Sequence, residues 1–168
     1  SERAILYRAR QNVEQTSVKL AVVVQQMVPA EVAGVMFTAD PVSGARRELV
    51  IDANPGLGEA VVAGLVTPDH FVVDKRSLRV KEQQPGRREV IVRAKAQGGT
   101  EQITPGQSET SAPALPPQAI RQLAKLGIRI EKHFGAPQDI EWAWVNDGSG
   151  AGQFFILQAR PMTALPEP

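Results

Sequence analysis

Two strand-like runs near the C-terminus carry four polar side chains: Asp139 and Glu141 in QDIEWAW, and Gln158 and Arg160 in QFFILQARPMT. The Trp, Phe, Ile and Leu around them are residues typical of buried strands. Strand alternation puts Asp139, Glu141 and Ala143 on one face of the first run and Ile140, Trp142 and Trp144 on the other. In the second run it groups Phe154, Ile156, Gln158 and Arg160. The intervening VNDGSGAG is rich in hairpin-turn residues, so the two runs read as an antiparallel hairpin. With Ser149 and Gly150 at the tip, a two-residue loop sets Glu141 opposite Gln158 and Asp139 opposite Arg160. A slip of one residue, or a bulge in the hairpin, would shift that pairing.

Carboxylate and amide oxygens suit a hard cation such as magnesium, and a guanidinium fork suits phosphate. Together they are the parts that a site for a magnesium-bound nucleotide requires. The same spacing admits a plainer reading, in which Asp139 and Arg160 form a structural ion pair while Glu141 and Gln158 face solvent.

The elements that must hold this hairpin are legible upstream. Glu2 to Glu14 has a short helical pattern, and KLAVVVQQMV, from Lys19 to Val28, is a continuous β-branched run that predicts a strand covered on both sides. GVMFTADPVSG reads as a short strand entering a turn at Asp40 to Gly44, where Asp40 and Ser43 are good turn formers, and ELVIDANPG reads as a third strand. GLGEAVVAGL reads as a glycine turn opening a short helix with Glu59 in its first turn. This stretch is neither GxGxxG nor a Walker loop, so a structural turn is the primary reading. HFVVDK, SLRVKE and EVIVRAK resume the strand pattern. From Gln97 to Pro117 the chain turns to Gly, Thr, Gln, Ser and Pro, which predicts a mobile loop. PPQAIRQLAKLGIRIEKHFG is the clearest helix, with Pro at its start, Gly135 at its stop and His133 in its last turn. His70 shows no partner in the sequence. Short strands joined by tight turns, with at least two helices, give an α+β (or α/β) fold built on a mainly antiparallel sheet.

Composition narrows the classes. The 168 residues are enough for one domain with a sizeable core, at 42% hydrophobic and 22% charged. With 19 basic against 18 acidic residues, no overall field draws nucleic acid or an anionic membrane, so any bound anion is held locally. The absence of cysteine removes disulfides and thiolate metal sites and fits a cytoplasmic protein. No apolar run approaches the roughly 20 residues of a membrane helix. The opening SERAILYRARQ lacks Met and enters a helical pattern at once, as expected of a piece of a longer protein.

DIEWAW followed by FFILQARPMT resembles the end of the ATP-grasp nucleotide-binding region of the phosphoenolpyruvate synthase, pyruvate phosphate dikinase and rifampicin phosphotransferase family. The likeness continues upstream through SERAILYR, VVVQQMV, GVMFTADPVSG, DANPGLGEAVVAGLVTPDHFVV and IEKHFGAPQDIEW, in the family's order. It implies that residues 1–168 are the C-terminal part of that region. It also implies that Glu141 and Gln158 hold magnesium on the phosphates of ATP, that Arg160 contacts the transferring phosphate, and that Asp139 supports the cluster. Gln25 and Met27, with Val23, would lie beside the adenine; the alternative is that they belong to a core strand. The resemblance further implies partners outside the chain: an earlier half of the nucleotide region with a lysine and arginines, and a domain whose histidine, in a Thr-Ser-His context, carries the phosphoryl group. Neither His70, in PDHF, nor His133, in EKHFG, has that context. The parent enzyme would use ATP and pyruvate, or rifampicin, and the isolated chain would be inactive and bind ATP weakly. A noncatalytic, degenerate module is the alternative of another class.

Overall fold

The computed structural model describes Ile5, Leu6, Ala9 and residues 21–106, 112–148, 152–163 and 165–166. Ile5, Leu6 and Ala9 are helical, in line with the expected first helix. The strands are β1 (Val32–Phe37), β2 (Glu48–Pro55), β3 (Asp69–Asp74), β4 (Val80–Gln84), β5 (Ile91–Ala94), β6 (Thr100–Ile103), β7 (Gln138–Val145) and β8 (Gln153–Pro161). The helices are α1 (Glu59–Val62) and α2 (Pro117–Phe134). The fold is α+β: a six-stranded antiparallel sheet in the order β4-β3-β2-β1-β7-β8, with β5 and β6 forming a separate hairpin.

One face of the sheet is a dry core. Met36, Leu49, Ile51, Phe71, Ile140 and Trp142 point to it from four strands, and α2 covers it with Ile120, Leu123 and Ala124. Each fully buried side chain of this size contributes about 1.5–3 kcal/mol. Pro117 opens α2, where its missing N–H costs nothing, and Gly135 ends it in the left-handed conformation at φ 70°. In mid-helix, Gly127 faces β1: a Cβ there would lie 2.7 Å from Met36 Cε and 3.1 Å from Leu49 Cδ2. The glycine lets the helix backbone approach the sheet more closely than an alanine would.

A buried carboxylate fastens the loops around β3. Asp69, 2% exposed, accepts hydrogen bonds from Gly86 N at 2.7 Å, Arg88 Nη2 at 2.6 Å and Ala114 N at 2.6 Å. Burial of an anion is tolerated when it is paired and hydrogen-bonded in this way.

Two expectations change. The predicted strand at Lys19–Val28 is not formed over its described part, residues 21–28, where the backbone belongs to no strand and Val22, Val23 and Val24 are 82%, 82% and 95% exposed. β-branched residues favour extended backbone, but a strand also needs a neighbouring edge, and no strand pairs with this stretch among the described residues. Within 97–117, Thr100–Ile103 pairs with β5 through the turn at Gly98 and Gly99, both at positive φ. Residues 107–111 of that stretch lie outside the described residues.

Candidate nucleotide site

The other face of the sheet carries the polar side chains. Register aligns Gln158, Glu141, Val35, Asp52, His70 and Gln84 in one row across all six strands. The next row is Arg160, Asp139, Phe37, Val50, Val72 and Glu82. Residues in one such row project from the same face, with neighbouring Cβ atoms about 4.5–5.5 Å apart. The expected pairs, Glu141 with Gln158 and Asp139 with Arg160, are therefore the observed ones.

Beyond those pairs the register shifts. Trp142 opposes Ile156 and Trp144 opposes Phe154, so β8 carries one extra residue, Leu157. Phe154 and Ile156 thus take the core side, with Phe154 edge-on to Trp142 at 5.7 Å between ring centroids. This corrects the expectation that Phe154, Ile156, Gln158 and Arg160 share a face: the bulge reverses alternation between the two halves of the strand. The predicted tip, Ser149 and Gly150, lies outside the described residues.

The four polar groups differ in commitment. Arg160 Nε and Nη2 both donate to Asp139 Oδ2, at 2.8 and 2.7 Å. The Asp139 side chain is 14% exposed against 65% for Arg160, so the acid anchors a guanidinium that reaches into solvent. Glu141 is half-buried and Gln158 exposed, and neither has a hydrogen-bond partner among the described residues. A half-buried carboxylate without a partner, opposite an amide oxygen, is a donor pair with vacant acceptor capacity. Magnesium takes one or two such protein oxygens and completes its shell with phosphate and water. The described residues contain no group of three or more His, Cys, Asp or Glu able to hold a metal alone. The residues present therefore fit a cation delivered with its phosphates.

A cavity of about 420 Å³ adjoins this pair. Gln25, Gln26, Met27 and Val28 line one side, Ala33, Gly34, Glu141, Ala143 and Leu157 the sheet side, and Leu57, Gly58, Glu59, Val62 and Thr100 the remainder. Gln25 and Met27 thus meet Glu141 in one cavity although no strand carries them. Leu157 and Thr100 escaped sequence reasoning, since one is placed by a bulge and the other by a hairpin in a stretch read as loop. The GLGE turn is structural at Gly56, whose φ is 85° and whose Cβ would lie 2.3 Å from Val92 O. Glu59 nevertheless lines the cavity from the first turn of α1.

At the far end of β1, the predicted turn forms. Asp40 accepts Val42 N at 2.8 Å and the Ser43 hydroxyl at 2.5 Å, and Gly44 closes the turn at φ 75°. The Ser43 hydroxyl, then the Val42 and Ser43 amides and the nearby His70, hold the Asp40 carboxyl below its ordinary range against the opposing effect of desolvation. His70 itself has a partner the sequence did not reveal. Its Nδ1 lies 2.7 Å from Asp52 Oδ1. Pairing the DANP and DHFV runs in a hairpin register would have exposed it.

The chain matches, over residues 1–168, the sequence model of a family described as pyruvate phosphate dikinase, AMP/ATP-binding domain. The chain belongs to that family. It is 43% identical over 171 residues to a probable phosphoenolpyruvate synthase of Pyrococcus abyssi, covering 98% of this chain and 20% of that protein. It is 44% identical over 165 residues to a rifampicin phosphotransferase of Streptomyces sviceus and 41% identical over 171 residues to one of Bacillus subtilis, each match covering 98% of this chain and 18% of the relative. The chain thus spans about a fifth of the length of the curated relatives it matches. Among the described residues, no helix is long and apolar enough to cross a membrane.

Proposed function

We propose that this chain is the C-terminal part of an ATP-grasp nucleotide-binding region in a dikinase-type phosphotransferase. It would hold ATP with its base near Gln25 and Met27 and its metal on Glu141 and Gln158. Arg160, steadied by Asp139, would contact the transferring phosphate. The observation that carries this reading is the Glu141 carboxylate, without a side-chain partner among the described residues, opposite Gln158 at the edge of the cavity, in a member of an AMP/ATP-binding family. Magnesium, when bound, neutralises charge on the phosphates. The chain's own residues position the tail, and phosphoryl transfer depends chiefly on such positioning and charge neutralisation.

The chain is as similar to the phosphoenolpyruvate synthases as to the rifampicin phosphotransferases, as expected of a module that handles the shared donor rather than the acceptor. The whole enzyme would split ATP to AMP, pass a phosphoryl group through a histidine of another domain, and deliver it to pyruvate, forming phosphoenolpyruvate, or to rifampicin. The chain by itself, lacking those parts, would bind ATP weakly and transfer nothing. A degenerate module is disfavoured by the retention of Glu141, Gln158 and the Asp139–Arg160 pair together on one face.

The test is calorimetric titration of ATP with and without magnesium, repeated on Glu141→Gln. Magnesium-dependent binding that falls at least about tenfold in the variant, equivalent to about 1.4 kcal/mol, supports the assignment. Equal binding by both proteins would remove Glu141 from the metal site.

A further inference from the structure

The Asp52–His70 pair belongs to the polar row but has no part in the site as described so far. Its register is Gln158, Glu141, Val35, Asp52, His70, so two polar pairs flank a single apolar residue symmetrically. Val35 is half-buried and forms the floor between them. With strands about 4.8 Å apart, a group lying over Val35 is one spacing from Glu141 and Asp52 and two from Gln158 and His70.

The pair's chemistry is specific. Ionised Asp52 can only accept, so His70 donates Nδ1–H across the 2.7 Å contact and the ring's orientation is set. Nε2 has no partner among the described residues. The side chains are 35% and 21% exposed, so both are reachable. Carboxylates bordering a polyphosphate repel it unless they are neutralised. A metal would do this at Glu141, and an imidazolium at His70 would do it at Asp52, with Nδ1–H held by Asp52 and Nε2–H offered to a phosphate oxygen. As a fold element the pair has little to contribute, because a solvent-accessible ion pair stabilises by about 0–1 kcal/mol.

We propose that the Asp52–His70 pair is a phosphate-positioning element of the nucleotide site, with His70 donating from Nε2 to the terminal part of a nucleoside triphosphate held over Val35. The proposal rests on the nucleotide reading above and adds the β2–β3 side of the sheet to it.

The chain has only two histidines, His70 and His133, so their imidazole signals are separable by NMR with one His133→Gln control. The 168-residue chain is titrated with excess ATP plus magnesium, and separately with AMP. His70 ring signals are expected to move with ATP and not with AMP, while His133, at the end of α2, stays still. In titration, His70→Gln is expected to weaken ATP binding about tenfold, as loss of a charge-assisted hydrogen bond does, and to change AMP binding less than about twofold. His70→Lys, which restores a cation, is expected to recover part of the preference for ATP. A purely structural pair would alter the melting temperature and leave the ratio of ATP to AMP affinity unchanged. Movement of backbone signals around Glu141 with ATP while His70 stays still, or an unchanged affinity ratio in His70→Gln, overturns this inference alone. If no signal anywhere responds to nucleotide, the nucleotide reading falls and this inference with it.

Discussion

Asp69 and Asp139 are both carboxylates paired with arginine, yet their surroundings assign them different work. Asp69 is 2% exposed and satisfied by three donors, whereas Asp139 faces an arginine that is 65% exposed. The first is a structural hub whose loss removes the common acceptor of Gly86 N, Ala114 N and Arg88, an arginine 5% exposed at its side chain. Asp69→Ala is expected to cost about 3–5 kcal/mol in urea denaturation, the range for breaking a buried ion pair. Asp139→Ala is expected to cost no more than about 1 kcal/mol. Sequence alone does not separate the two, because burial depends on what packs over a strand. What sequence did disclose was the Glu141–Gln158 and Asp139–Arg160 pairing, since strand alternation and a turn-rich loop confine the register to few choices. The Asp52–His70 contact was equally a matter of register, between runs whose polar residues stood alone in the chain.

At the scale of elements, the bulge in β8 decides what the hairpin does. An uninterrupted strand would force Phe154 and Ile156 to the face of Gln158 and Arg160; one extra residue lets the apolar half serve the core and the polar half serve the site. Leu157 is that residue, and it lines the cavity. Deleting Leu157 restores plain alternation while leaving Gln158 and Arg160 on the polar face and Phe154 and Ile156 on the core face. The deletion is therefore expected to change stability by less than about 1.5 kcal/mol, as packing-conserving changes do, while weakening nucleotide binding. Paired chemical denaturation and ATP titration would read both effects. The helix α2 was legible from its periodicity and its Pro and Gly ends. The run at Lys19–Val28 misled, because a strand is a property of two neighbours and propensity describes only one.

For the whole molecule, one sheet face is sealed by α2 and the other carries acids, amides and cations that balance locally, consistent with a formal charge of +1. Acid disturbs that balance. Asp40 is held below its ordinary value of 3.8 in the folded chain, chiefly by the Ser43 hydroxyl. Its contribution is therefore present above that value and is lost as the pH falls through the lower folded one. The stability difference between the unsubstituted chain and Asp40→Asn is expected to be constant near neutrality and to shrink as the pH drops below 3.8, measured by thermal unfolding followed by circular dichroism.

The chain's two tryptophans, Trp142 and Trp144, both sit on β7 and are 0% and 6% exposed. Trp142 directly follows Glu141, and its indole Nε1 is buried without a hydrogen-bond partner. All of the molecule's indole emission thus arises from the strand that bears Glu141, in an apolar setting that shifts it to short wavelength. The chain carries its own optical reporter, and occupancy of the proposed nucleotide site is expected to change that emission, which a fluorescence titration with ATP would read without a label.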